Sequence, residues 1–403
     1  VLTDDAASMP QRPRHWQTLS WAALLDPASG APPARVIDGD MAAILYTSGS
    51  TGKPKGVVLS HRNLLAGARS VAEYLNNRAD DRILAVLPFS FDYGLSQLTT
   101  AFVAGARAVL MDYLLPRDVI QIVAREGITG LAAVPPMWVQ LATLDWPEAA
   151  VTRLRYFTNS GGAMPRATLA ALRRALPHTT PYLMYGLTEA FRSTYLPPAE
   201  IDRRPDSIGK AIPNAEVLVV REDGTPCAPG EPGELVHRGA LVALGYWNDP
   251  VKTAERFRPM PGQNPGLPLP ELAVWSGDTA RMDEDGFLYF IGRKDDLIKT
   301  SGYRVSPTEV EEILYSSGQI AEAAALGIPH PALGQAVVAV VKPLRDAVNE
   351  SALIAHCKQH LPNFMAPLQV IARRAGLPRN PNGKIDRKAL VDELRTLFAE
   401  PPL

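Results

Sequence analysis

Apolar positions along this chain fall into short runs that alternate between strand-like and helix-like spacing. Met41–Tyr46 is an apolar β-type run, and the apolar and polar stretch Val57–Ala68 after the following polar segment reads as a helix. Downstream, Ile83–Leu87, Ala108–Met111 and Gly130–Val134 read as strands, with Ser96–Ala104 and Val119–Glu126 as the helices between them. Such alternation predicts an α/β fold with a mostly parallel sheet and helices on its faces. From Ala215 to Tyr246 the pattern changes to short strands broken by Glu222-Asp223-Gly224 and Pro229–Gly233, which predicts a small antiparallel β-unit. Ser29–Pro33 and Met260–Pro270 are breaker-rich loops. After the strand Phe287–Ile291, the polar or small residues Gly292–Asp296 interrupt the pattern, and about a hundred residues of helix- and strand-like segments follow. The organisation predicted is a large lobe over 1–291, a hinge over 292–296, and a mobile α+β domain over 297–403.

Bulk properties remove several function classes. At 403 residues the chain exceeds one ordinary core. Its net charge is −1, from 41 basic and 42 acidic residues, with no basic block that would attract nucleic acid. No apolar run reaches the eighteen or so residues of a membrane span, and no signal-peptide pattern opens the chain. Cys227 and Cys357 lie far apart without metal spacing. They read as buried free thiols in a reducing compartment, which points to the cytoplasm.

The densest chemistry lies in Leu45–Gly56, LYTSGSTGKPKG. Its candidate phosphate ligands are Thr47, Ser48, Gly49, Ser50, Thr51, Gly52, Lys53 and Lys55. Glycines let backbone N–H groups approach a polyphosphate, hydroxyls donate to its oxygens, and two lysines supply counter-charge. The spacing excludes the P-loop of NTPases, because Thr47 stands five before Gly52 and Pro54 follows Lys53.

This loop resembles the ATP-phosphate signature of the adenylate-forming (AMP-binding) superfamily, which holds acyl-CoA synthetases, adenylation domains of peptide synthetases, and luciferases. The resemblance runs from Ala42 to Leu390 through several motifs in the family's order. The string YGLTEAFRSTYLPP looks most like acyl-CoA ligases associated with the exosortase A system, with prolyl-AMP ligases next. Members carry well over a hundred residues ahead of this loop, so the resemblance implies an N-terminally truncated form. A truncated form should leave open part of the sheet beside Met41–Tyr46 and Ile83–Leu87.

Residue roles follow from the same resemblance. Tyr185, Gly186, Thr188 and Glu189 match the second nucleotide motif, with Thr188 at the α-phosphate and Glu189 on Mg²⁺, a cation that takes one or two carboxylates and keeps waters. Gly161, Gly162 and Ala163 after Ser160 match the adenine-binding segment. Asp278 and Arg293 match the ribose-binding pair, although a Gly277-Asp278 dipeptide by itself is most often a turn. Asp295 matches the hinge, Gly302 the wall of the pantetheine path, and Arg304 a phosphate contact in the first step. Lys384 in Asn382-Gly383-Lys384 matches the catalytic lysine, a point charge suited to negative charge developing at phosphorus.

Phe91 falls at the gating-aromatic position of the acyl pocket. Asp92 beside it has two readings: a turn cap, or the carboxylate that holds a substrate ammonium in amino-acid-activating members. Arg192 faces either the acyl pocket or solvent. The resemblance implies Mg²⁺-dependent formation of an acyl-AMP from ATP and a carboxylic acid, then transfer to the thiol of CoA or of a carrier-protein phosphopantetheine. Two alternatives stand beside an acid–CoA ligase. One is an amino-acid adenylation enzyme that loads a carrier protein; the other is an inactive fragment that keeps nucleotide- or partner-binding surfaces.

Overall fold

A computed structural model describes residues 35–47, 54–112, 115–264, 266, 268–293, 296–345, 347–380 and 384–399, without the side chain of Arg304. The chain divides into two compact units, Val1–Asp40 and Met41–Leu403. In the described part of the first, a turn is closed by Asp40 N–H on the Ile37 carbonyl and by Ile37 N–H on the Asp40 carboxylate.

In the second unit a seven-stranded sheet runs in the order Arg107–Leu110, Arg82–Ala85, Gly130–Ala133, Tyr156–Asn159, Thr180–Leu187, Phe191–Leu196, Lys210–Ala211. The first five strands are parallel and the last two antiparallel. Helices Asp92–Ala104 and Pro116–Glu126 make the crossovers and stop at Gly105 and Gly127, whose φ of 67° and 60° are left-handed values that glycine adopts without strain. Gly130–Ala133 and Tyr156–Asn159 are buried along their whole length, as parallel strands covered on both faces must be. Trp138 and Phe157 pack at 4.8 Å in this core, and the Trp138 indole N–H donates to the carbonyls of Ala133 and Thr158. Ile83–Leu87 is likewise buried, whereas Met41 and Tyr46 are exposed.

The expected helix Val57–Ala68 is corrected at its start. Lys55–Ser60 is a strand, and the helix runs His61–Tyr74. Burial decides this: β-branched Val57 and Leu59 disappear between Met41–Thr47 and Gly245–Tyr246, which flank the strand in a three-stranded antiparallel sheet. Ser60 then caps the helix, its hydroxyl accepting from Asn63 N–H while the Asn63 side chain accepts from Ser60 N–H. Thr47 therefore stands opposite Lys55, one at each end of the phosphate-loop segment.

The antiparallel unit predicted over 215–246 is present and larger than expected. Ala215–Val220, Gly233–Gly239, Leu272–Met282 and Phe257–Pro259 form it, with Leu288–Arg293 alongside. Gly277-Asp278 lies inside the long strand Leu272–Met282 instead of at a turn, with Asp278 opposite Arg293 and the following Thr279 opposite Gly292 of the next strand. Cys227 is half-buried and Cys357 buried, and both are free.

Toward the C-terminus, Ile320–His330 and Gly334–Pro343 form a long hairpin joined by Ile298–Thr300, Tyr303–Val305 and Gln369–Ala372. Val337, Ala339 and Val341 face helices Pro307–Ser316 and Glu350–His360, while Val338 and Val340 face Leu377 and Leu390. Both faces are covered, which is why AVVAVV is continuously apolar. Among the described residues no helix is long and apolar enough to cross a membrane.

Candidate active site

Ligand crevices in open α/β sheets form at the carboxyl ends of the strands, and here three such ends deliver side chains to one cavity. Arg82–Ala85 leads to Phe91 and Asp92, Tyr156–Asn159 to Ser160 and Gly161, and Thr180–Leu187 to Thr188. Tyr93, Gly186, Leu187, Phe191, Arg192 and Lys384 complete the lining. The cavity between these side chains is small, about 30 Å³.

The hairpin that carries Thr188 and Glu189 depends on Gly186. A Cβ there would stand 2.3 Å from the Phe191 carbonyl oxygen and 2.7 Å from Arg192 Cα. Across the turn, Phe191 has φ 54° and ψ −140°, a conformation that costs a non-glycine residue of order 1–3 kcal/mol and clusters at functional sites. This kink turns Arg192 inward. Its guanidinium donates to the Ser96 hydroxyl and lies 4.7 Å from the Tyr93 ring centroid and 5.0 Å from that of Phe191. The residue is 3% exposed, which answers the choice between pocket and solvent.

Asp92 heads the helix Asp92–Ala104, and Thr188 Oγ1 lies 3.5 Å from its carboxylate. Burial pushes the Asp92 carboxyl up, opposed by Lys384 and then Arg192. Lys384 is half-buried, its ammonium 5.3 Å from the Phe91 ring centroid. Burial lowers this lysine, and Asp92 opposes the shift. Gly161, at φ 83°, makes room for it: a Cβ would come within 3.1 Å of Lys384 Cε. Gly162 lends its carbonyl to the Asn159 side-chain amide, and Ala163 is exposed.

Beside the cavity, the Tyr185 hydroxyl donates to Asp278, and Arg293 Nε lies 3.1 Å from the other oxygen of that carboxylate. That oxygen has no hydrogen-bond partner, although Asp278 is buried. A buried carboxylate with an unused lone pair fits hydroxyl donors such as a ribose diol. Burial raises Asp278, with Arg293 as the main opposing influence. Glu189 accepts from the Tyr246 hydroxyl at 2.6 Å through one oxygen, and Arg256 stands 4.0 Å away. Its second oxygen takes no hydrogen bond among the described residues, so the carboxylate fits Mg²⁺ as one ligand. No cluster of three or more acidic, His or Cys side chains occurs among the described residues, so other ligands to such an ion would be phosphates and water. Lys55 sits over the Tyr246 ring at 5.1 Å, which brings the base of the phosphate-loop segment to Glu189.

Sequence reasoning missed the scaffold behind Lys384. Asn380 and Lys384 are tied by Asn380 N–H on the Lys384 carbonyl and Lys384 N–H on Asn380 Oδ1. Arg387 clasps Glu311 at 2.6 and 2.8 Å, and Arg379 pairs with Glu322 at 2.8 Å. Each is an ordinary charged residue in the sequence, with partners 76 and 57 positions away. Also missed was His237, buried against the Tyr185 ring with both nitrogens unpartnered and its basicity lowered to about 3 by burial. A groove of about 840 Å³ between Leu87, Leu110 and Met137 carried no motif either.

Gly302 has φ 83° with open space around it, away from Lys384 in the same sheet region as Thr300 and Tyr303. Ser48, Gly49, Ser50, Thr51, Gly52, Lys53 and Asp295 lie outside the described residues, as does the side chain of Arg304.

Comparison with known proteins agrees with this geometry. The family model for AMP-binding enzyme matches residues 3–247, and that for the AMP-binding enzyme C-terminal domain matches residues 309–384. The chain belongs to the AMP-binding enzyme family. A long-chain-fatty-acid–CoA ligase of Salmonella typhimurium is 34% identical over 370 residues, covering 89% of this chain and 63% of the relative. Among solved structures, ATP-bound MatB from Rhodopseudomonas palustris superposes with a TM-score of 0.81 at 29% identity, covering 94% of this chain and 75% of that one. O-succinylbenzoate coenzyme A synthetase from Bacillus subtilis, in complex with ATP and magnesium, gives 0.77 at 29% identity, covering 93% and 75%. This member of the AMP-binding enzyme family thus has the family's α/β fold and spans less than two thirds of the fatty-acid ligase's length.

Proposed function

We propose that the protein is an AMP-forming acid–CoA ligase. A carboxylate oxygen attacks the α-phosphorus of Mg·ATP, the bond to the β-phosphate oxygen breaks, and acyl-AMP and pyrophosphate form. A thiol then displaces AMP to give the thioester. The observation that carries this reading is Lys384: a sequence-distant lysine held between Gly161 and Phe91, in one cavity with Thr188. Its ammonium would meet charge developing at phosphorus, where a preorganised cation acts at full strength. Tyr185, Asp278 and Arg293 would hold the ribose, Gly161 to Ala163 the adenine, and Glu189 the Mg²⁺. Thr47 to Lys55 and Arg304 would receive the phosphates.

The two half-reactions would use two faces of the C-terminal domain over 297–403, turning at Asp295. Lys384 in the cavity, with Gly302 away from it, supports an adenylation-ready arrangement. CoA is the acceptor this reading favours, and the free Cys227 and Cys357 support a cytoplasmic setting. A second reading, amino-acid adenylation for a carrier protein, is favoured by Asp92 in the cavity wall. Acid-dependent ATP–pyrophosphate exchange separates the readings: exchange with non-amino carboxylic acids and thioester formation on CoA support the ligase. Exchange confined to amino acids supports the second, and none at all supports an inactive fragment.

A further inference from the structure

Arg192 is among the most deeply buried cations of the chain, yet no carboxylate lies within 4.0 Å of it among the described residues. Partly buried Arg155 and Arg387 differ: Arg155 reaches Asp81 at 2.6 Å, and Arg387 reaches Glu311 at 2.6 Å. Arg192 has one hydroxyl, Ser96, and two aromatic faces. A guanidinium carries five donors and cannot shed its charge, so burying it against one hydroxyl leaves most of its demand unmet. It also lines the cavity that holds Lys384 and Asp92.

Ser96, which holds the guanidinium, lies one helical turn beyond Asp92 on the same helix, about 6 Å along its axis at 1.5 Å of rise per residue. The lining holds two cations, Arg192 and Lys384, and one carboxylate, Asp92, while Glu189 and Asp278 also act on Lys384. Arg192 is the cation of the lining left with only a hydroxyl beside it, and an anionic group on the substrate would supply its partner. The walls there, Tyr93 and Phe191, are rigid rings buried in the lobe, and the space is small.

Resting on the ligase reading, we propose that the acid activated is a short dicarboxylate, or a short acid with an equivalent second anionic group, whose non-reacting end pairs with Arg192. The reacting carboxylate meets the α-phosphorus near Lys384 and Thr188; the second stays ionised and unchanged through both half-reactions.

The test is ATP–pyrophosphate exchange by the full chain, with malonate, succinate and glutarate against propionate, butyrate, valerate, palmitate and proline. In wild-type protein the best dicarboxylate should exceed its monocarboxylate partner by about 100-fold or more in kcat/KM, since a site built around a charged partner rejects an analogue that lacks it. Arg192→Met should remove most of that preference, chiefly through KM, and Arg192→Lys should restore part of it. The wild-type panel decides by itself if the methionine variant fails to fold. Equal or better exchange with a monocarboxylate, palmitate or proline overturns the inference and leaves an adenylating enzyme standing. Exchange with none of the acids overturns the ligase reading, and this inference with it.

Discussion

Truncating Lys384 to alanine removes the ammonium that stands 5.3 Å from the Phe91 ring centroid in a cavity of about 30 Å³. Two consequences follow. The developing charge at phosphorus loses its preorganised cation, a loss of about 10²–10³ in rate, or roughly 3–4 kcal/mol. Asp92 also loses its main counter-charge, so its carboxyl rises further and the cavity beside it turns more negative, which opposes an incoming carboxylate. Stability should change little, by less than about 1 kcal/mol, because burial already works against the charged amine. The assay is stopped-flow or exchange measurement of each half-reaction separately. Adenylation should collapse, while thioester formation from supplied acyl-AMP stays within about threefold of wild type, since an interaction made in one transition state is lost only there. The pH profile gives a second readout. Burial holds Lys384 below 10.5, so wild-type adenylation should fall as pH rises through that lowered value, and the variant should lack this limb. Equal losses in both half-reactions would refute the assignment of Lys384 to the first step alone.

Further outcomes can be checked independently. His237 is held near a pKa of about 3 in the fold against 6.5 when unfolded, so below pH 6.5 the unfolded chain takes up a proton the folded one refuses. Stability should therefore fall as pH drops below about 6.5, and His237→Leu should flatten that limb in denaturant titrations. Gly186→Ala drives a Cβ into the Phe191 carbonyl, a backbone atom that cannot swing aside, and should cost about 3 kcal/mol in urea unfolding. Tyr185→Phe removes the donor to Asp278 and should raise KM for ATP about tenfold with a smaller change in kcat; an unchanged KM would take Tyr185 out of the nucleotide site.

Much of this molecule was readable in one dimension wherever the determinants are local. Alternating apolar runs and glycine stops set the α/β order, and the motif strings named the residues that gather in the cavity: Asp92, Gly161, Thr188 and Lys384. Glycine requirements at Gly161 and Gly186 are local as well, since a missing side chain is visible in the sequence even when its neighbour is not. What tertiary structure decided depends on pairing across long separations. Lys55–Ser60 became a strand because two others flank it, against a polar and apolar pattern that suits a helix equally well. Gly277-Asp278 became the interior of a strand because its partner is Arg293, which also brings the guanidinium to the carboxylate. Arg192 kept two readings, acyl pocket or solvent, until the strained turn at Phe191 aimed it inward. Charge and polarity are properties of a residue, but whether a charge is buried, paired or left waiting for a ligand is a property of everything packed around it.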